Sequence, residues 1–250
     1  MTVAIANQKG GTGKTTTAVT IGAALAEMGR RVLIVDLDPQ ANATTALGVD
    51  YTELALSLAD VLEGDCVARE ACLACQTNLT LLPAHPTDLA SVARHLAPER
   101  GDQLRIREIL EPLAGDYDFI ILDCPPALSL LTIGALIAAD GVLVPVPTEF
   151  LSLEGVAQLL DTVDVVRDRF NADLHVLGLL AVRHEARTIA GRQVYKLLRD
   201  FGVPVFASTI RRSVVVSTAP GAGLPLAQYD PAADAARDYR AAAQEVLRCA

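Results

Sequence analysis

Lys9-Gly10-Gly11-Thr12-Gly13-Lys14-Thr15-Thr16 follows a short apolar run, Thr2 to Ala6, and opens a long alanine-rich helical pattern. A strand, a glycine turn and a helix N-terminus in that order form a cradle for phosphate. The glycines let backbone N–H groups approach phosphate oxygens, and the helix adds unpaired N–H donors and the positive end of its dipole. Lys14 supplies a point charge for terminal phosphates, and Thr15 offers a hydroxyl to Mg2+. The chain has three lysines, at positions 9, 14 and 196, against eighteen arginines. Two of the three stand in this turn, where a compact ammonium suits a phosphate nest better than a bulky planar guanidinium.

The segment departs from the common phosphate-loop pattern G-x-x-x-x-G-K-[ST], because Gln8 stands five residues before Gly13. It reads K-G-G-x-G-K-T-T instead. Lys9 lies too close to the start of the turn to reach the phosphates of its own nucleotide comfortably, which directs its ammonium to a site on another subunit.

Outward from the turn, apolar runs alternate with helical periodicity over the whole chain, the pattern of βα units around a parallel sheet. Strands are expected at Thr2–Ala6, Arg31–Asp36, Asp118–Asp123, Gly141–Val146 and Leu174–Val182, with short ones near Leu79–Leu82 and Val205. Helices are expected at Lys14–Met28, around Leu54–Leu62, and at Leu104–Leu113, Leu130–Ala139, Leu153–Phe170, Ile189–Phe201 and about Ala232–Leu247. Periodicity is weakest from Asp65 to Arg100. No linker or repeat interrupts the 250 residues, so the expectation is an α/β fold: one domain, 1–250, with a doubly wound, mostly parallel sheet and helices on both faces. With 51% apolar residues, few aromatics and no Trp, the core should be aliphatic, and disorder is excluded.

The five cysteines, at 66, 72, 75, 124 and 249, are an odd number behind no recognisable secretory leader, which points to a reducing cytoplasm. Cys72-x-x-Cys75 lacks the second pair or the histidines that complete a four-ligand metal set, so small buried hydrophobes are the expected role. The long uncharged stretches are broken by proline and fall short of a bilayer span of about 20 residues. The C-terminal helix mixes Asp234, Arg237, Asp238, Arg240 and Glu245 with alanines, unlike a membrane-binding tail.

The net charge of −9 argues at first against a nucleic-acid partner. Its distribution reverses that. Between Arg183 and Arg212 seven basic residues face two acidic ones, a positive island fit for a polyanion on an otherwise acidic chain.

Ligands of such sheets bind at the carboxyl ends of the strands. Three ends here carry chemistry: the glycine turn, Asp36-Leu37-Asp38-Pro39-Gln40, and Asp123-Cys124-Pro125-Pro126. Period-two geometry points Asp36 and Asp38 the same way, toward whatever the turn holds. Three carboxylates converging beside an anion site suggest Mg2+ and a positioned water, with helix N-capping as the alternative role, for Asp123 above all.

Together these residues resemble the ParA/MinD group of deviant Walker A ATPases, and most closely its chromosome-partitioning ParA (Soj) branch. Asn7 to Thr17 resembles the family's nucleotide loop, Val35 to Thr44 its first switch, and Ile121 to Pro126 its second. The resemblance implies an ATPase that forms a sandwich homodimer around two ATP molecules. Lys9, Gly10, Gly11, Thr12, Gly13, Lys14, Thr15 and Thr16 would bind the nucleotide. Lys9, acting across the dimer, would join Lys14 and Asp38 in catalysis, Asp38 orienting the attacking water. Thr15 would ligate Mg2+ directly, and Asp36 and Asp123 would hold it through its waters. Glu149 and Glu154 resemble the segment along the dimer interface.

The family binds double-stranded DNA without sequence preference, and Glu185-Ala186-Arg187-Thr188 resembles one contacting segment. Where the family usually reads Ile-Pro-Arg-Asn-Val-Arg, this chain has Ile210-Arg211-Arg212-Ser213-Val214-Val215. Arg187, Arg211 and Arg212 are the expected DNA contacts, Arg211 replacing the charge absent at Val215. The missing proline and asparagine lie where the family approaches the adenine. A ParB-type centromere-binding protein is the implied activating partner, and nucleoid association within the cytoplasm the implied location. A MinD-like, membrane-cycling cell-division ATPase shares the loop but needs an amphipathic C-terminal helix with a basic edge. A nitrogenase-type reductase needs paired cysteines at a shared cluster. A scaffold that binds ATP and hardly hydrolyses it differs only in rate.

Overall fold

The computed structural model describes residues 1–250 apart from the side chain of Leu151. Strands run at Thr2–Ile5 (β1), Val32–Asp36 (β2), Leu73–Gln76 (β3), Leu79–Leu82 (β4), Phe119–Asp123 (β5), Gly141–Pro147 (β6), His175–His184 (β7) and Val205–Arg211 (β8). They form one sheet in the order β3-β4-β2-β5-β1-β6-β7-β8, parallel throughout except for the antiparallel edge pair β3/β4.

The central strands are unbroken apolar runs because helices cover both faces. Every residue of β2, β5 and β6 is buried. Alternate residues feed two cores: Ala4, Leu33, Val35, Ile120, Leu122 and Val144 enter one, and Val3, Ile5, Val32, Ile34, Ile121 and Leu143 the other.

The helices are α1 (Lys14–Glu27), α2 (Asn42–Ala46), α3 (Leu58–Glu63), α4 (Ala68–Ala71), α5 (Pro86–His95), α6 (Arg105–Leu110), α7 (Leu130–Ala138), α8 (Leu153–Arg169), α9 (Ile189–Leu197), α10 (Val214–Thr218), α11 (Leu226–Tyr229) and α12 (Asp234–Cys249). Helix α12 buries the stripe Ala235, Ala236, Tyr239, Ala242, Ala243 and Val246 in the same core as α1, and the Tyr239 and Thr17 hydroxyls share a hydrogen bond of 3.3 Å. Residues of α6, α7 and α8 fill the opposite core.

The expected strand at Leu79–Leu82 is β4. Its neighbourhood also holds three elements the sequence pattern did not disclose, α4, β3 and α5. The helix expected from Leu54 starts at Leu58, because Ser57 and Asp60 form a reciprocal capping box there. Cys66 and Cys72 pack against one core and Cys75 against the other, so the C-x-x-C pair does not converge. The expected role of small buried hydrophobe fits Cys124; Cys66, Cys72 and Cys75 are half-buried and Cys249 is exposed. Among the described residues no helix is long and apolar enough to cross a membrane.

Candidate functional site

Strand order places β5 between β2 and β1, so three chemically loaded strand ends are adjacent. In register, Asp123 stands beside Ile5 on one side and Asp36 on the other. The loop 6–13 leaves β1 directly above them.

Gly11 and Gly13 hold left-handed backbone (φ 69° and 83°), a region costly for residues with a Cβ, and Gly13 is the N-cap of α1. A Cβ built on Gly10 or Gly11 would meet no protein atom within 4 Å. These glycines therefore leave open space lined by main chain, as close approach of a ligand requires. The loop is braced from below: the Asn7 side chain donates to the Pro145 carbonyl (2.8 Å) and accepts from the Lys9 N–H (3.1 Å).

Beside the loop lies a cavity of about 550 Å3 walled by Gly10 to Thr16, Asp38, Gln40, Asn42 and Arg183 among others. Lys14 belongs to this wall and is 6% exposed; its ammonium donates to the Lys9 carbonyl at 3.2 Å. Burial pulls its pKa below the usual lysine value, opposed by the nearby Asp123 and Asp38. Lys9 is half-buried and stands outside this wall, and among the described residues no salt bridge engages it. Gly155, near the start of α8, abuts the loop: a Cβ there would stand 3.2 Å from Asn7 Oδ1 and 3.7 Å from Lys9 Cβ.

The three carboxylates have distinct surroundings. Asp36 accepts from the Thr44 N–H (2.8 Å), the Thr44 hydroxyl (2.7 Å) and the Asp38 N–H (3.2 Å), and Thr44 Oγ1 in turn accepts from the Ala84 N–H (3.0 Å). Asp36 thus ties the 38–44 segment to the sheet and does not line the cavity. Asp38 does line it, accepting from the Gln40 N–H at 3.0 Å. The expectation that both point toward the turn holds for Asp38 alone, because β2 stops at Asp36 and the two-residue alternation stops with it.

Asp123 is fully buried, and apart from the neighbouring Thr15 hydroxyl its carboxylate oxygens find no hydrogen-bonding group among the described residues. It is not a helix cap, since Ser129 caps α7. Burial raises both strand-end carboxyls above the ordinary range, Asp36 to about 6. A buried carboxylate so sparsely satisfied, beside Thr15 and Lys14, suits a bound divalent cation. Among the described residues no three His, Cys, Asp or Glu side chains form a metal cage. Mg2+ takes one or two protein oxygens and completes its shell with phosphate and water.

A second cavity of about 540 Å3 adjoins the first across Gly13, Thr16 and Arg183, and extends past Val182, Ile210, Arg212, Ser213 and Tyr239. The basic island surrounds it unevenly. Arg211 donates bidentately to Asp238 (2.7 and 2.9 Å) and to Asp234 (2.6 Å), stapling β8 to α12. Its charge is therefore paired within the fold, while the side chain stays 48% exposed. Arg212 is largely exposed and pairs with Glu185 at 3.0 Å. Arg187 is exposed, and no salt bridge engages it among the described residues. Glu149 is exposed and lies 4.0 Å from Arg183, and Glu154 is exposed on α8.

Sequence reasoning missed the brace role of Asn7, the Asp36–Thr44 tie and the Arg211 staple. Asp234 and Asp238, four apart on one helix face, were a readable signal for the last.

Strand, glycine loop and helix define a phosphate-loop nucleotide-binding α/β protein. The AAA domain family matches residues 1–176. The chain is 43% identical to the sporulation initiation inhibitor protein Soj of Bacillus subtilis (strain 168), covering 98% of this chain and 97% of Soj. It is 40% identical to the chromosome partitioning protein ParA of Caulobacter vibrioides, over 98% and 93%. A solved structure from Mycobacterium smegmatis, described as cobyrinic acid a,c-diamide synthase with bound ATP analog and magnesium, superposes with a TM-score of 0.86 at 39% identity, covering 99% of this chain and 94% of that one. The chain belongs to the ParA/Soj branch of the ParA/MinD family of ATPases.

Proposed function

We propose that this chain is a DNA-partitioning ATPase that closes into a homodimer around two Mg-ATP molecules, binds double-stranded DNA without sequence preference, and is reset by hydrolysis under a ParB-type partner. The observation that carries this reading is the division of labour within one loop: Lys14 lines the cavity beneath the glycines while Lys9 stands outside it. A second subunit is the natural recipient of that outer ammonium.

In this reading the N–H groups of Gly10 to Thr16 and the Lys14 ammonium hold the phosphates, and the adjoining cavity takes the nucleoside. Thr15 and Asp123 would hold Mg2+, with Asp36 supporting them by anchoring the 38–44 segment, and the metal would supply charge neutralisation to the phosphates. Asp38 orients a water for in-line attack on the γ-phosphorus. The new P–O bond forms as the bond to the β-phosphate oxygen breaks, ADP leaves with the electron pair, and the water's proton goes to the released phosphate. Lys9 of each subunit faces the charge that builds on the other's nucleotide, the part an arginine finger plays elsewhere. Glu149 and Glu154 lie along the closing face, next to the Gly155 contact with Lys9.

Arg187 and Arg212 are the proposed DNA contacts, with Arg211 holding their platform. The protein acts on the nucleoid in the cytoplasm and needs no membrane. The test is DNA binding in the apo, ADP and ATP states. Affinity appearing only with ATP, falling steeply with salt and lost in Arg187→Glu supports the reading; equal affinity in all three states contradicts it.

A further inference from the structure

Three residues wall both cavities: Gly13, Thr16 and Arg183. The first two belong to the phosphate loop. Arg183 comes from the far end of β7 and is the one side chain outside the loop, among the described residues, that reaches the junction.

Its backbone is set for this. Arg183 has φ 49°, left-handed without being glycine, and lies where the β7/β8 register shifts between Ala181 and His184. A bulge re-aims a side chain, and left-handed backbone at an arginine persists where the surroundings enforce it. Here Thr148 does so, its N–H donating to the Val182 carbonyl (3.2 Å) and its hydroxyl to the Arg183 carbonyl (3.5 Å). The guanidinium itself is weakly held: among the described residues its one ion pair, with Glu149, is 4.0 Å long, and both side chains are more than half exposed. Such a pair stabilises little and yields readily to a stronger anion.

A nucleotide with its phosphates in one cavity and its nucleoside in the other must pass between the loop and Arg183, and the group at that crossing is the α-phosphate. Resting on the nucleotide-site reading above, we propose that Arg183 is a further nucleotide-binding residue whose guanidinium leaves Glu149 and closes over the α-phosphate from the side opposite the loop. A planar fork of N–H donors fits phosphate oxygens bidentately.

ADP is the probe, because it carries the α-phosphate and lacks the γ-phosphate. Titration of Arg183→Met should show ADP and ATP affinity falling by the same factor, about tenfold or more, with the melting temperature of the nucleotide-free protein unchanged. Arg183→Lys should recover part of the loss, and Glu149→Gln should bind ADP as tightly as the wild type or tighter. Unchanged ADP affinity in both Arg183 variants overturns the proposal, as does a loss confined to ATP, which would place the contact on the γ-phosphate. Lys14→Ala separates this from the site itself. A wild type that binds ADP and a Lys14→Ala protein that binds it about 10- to 100-fold more weakly leave the site standing whatever Arg183 does, whereas a wild type that fails to bind ADP removes the site.

Discussion

The Lys14 ammonium donates to the main-chain carbonyl of Lys9 across 3.2 Å, so the cation inside the cavity is anchored on the backbone of the lysine outside it. The Thr12 hydroxyl donates to the same carbonyl at 3.2 Å. One backbone oxygen thus fixes the turn that separates the two ammonium groups, and a change at either lysine is expected to have a different consequence.

Lys14→Ala removes a buried cation from the phosphate side. ADP affinity should fall about 10- to 100-fold, the worth of a charge-assisted hydrogen bond, whereas Lys9→Ala should leave ADP affinity nearly intact. Calorimetric titration of the two variants checks this, and equal losses would contradict the assignment of Lys14 alone to the protein's own nucleotide.

Gly155→Ala tests the brace behind Lys9. The added methyl presses on Asn7 Oδ1 at 3.2 Å, so Asn7 must shift and take the Lys9 N–H with it. The helix-propensity gain of about 1 kcal/mol offsets the strain in stability, so the readout is function: the ATPase rate should fall while ADP affinity holds. A variant that hydrolyses ATP at the wild-type rate would show that the approach of α8 to the loop is incidental.

Alkaline stability should report on Tyr239. Burial pushes its phenol up to about 12 from an ordinary value near 10, with the Thr17 hydroxyl pulling the other way. The folded state therefore keeps its proton when the unfolded chain has lost it. The contribution is complete below about pH 10 and is lost as pH rises toward 12, a swing of about 2–3 kcal/mol. Tyr239→Phe should flatten that part of a denaturant-measured stability profile, losing about 1 kcal/mol at neutral pH with the Thr17 bond. A mutant profile parallel to the wild type above pH 10 would refute it.

Two arginines of the basic island should behave oppositely. Arg211→Ala breaks the staple to Asp234 and Asp238 and should lower the melting temperature by a few degrees with little change in DNA affinity per folded molecule. Arg187→Ala should leave melting unchanged, weaken DNA binding for all sequences alike, and reduce the salt slope by about 1. A salt slope unaffected by Arg187→Ala would remove it from the interface.

The legible parts of the molecule are those where burial leaves the chain one option. β2 and β5 read clearly because each is a closed apolar run halted by an aspartate, and the glycine loop reads because its residue types serve one chemistry. β3 was hidden because it is a half-exposed, bulged edge strand with no alternation to follow. α5 buries only Leu89 and Val92, too few for a helical stripe to stand out. The tie between Asp36 and Thr44 spans eight residues and depends on the left-handed turn at Ala41 (φ 52°), which nothing in an alanine announces. Arg183 escaped for the same reason, because a bulge sets its direction.

Mixing two inactive proteins tests the central claim most directly. Lys9→Ala retains Asp38 but lacks the crossing ammonium, and Asp38→Ala retains the ammonium but cannot orient water, so each alone should be nearly inactive. In a mixed dimer one site regains both groups: the nucleotide of the Lys9→Ala subunit receives Lys9 from its partner. An equimolar mixture should recover about one quarter of the wild-type ATPase rate, since half the dimers are mixed and each holds one complete site of two. A mixture no more active than its parents would contradict the crossing of Lys9 between subunits.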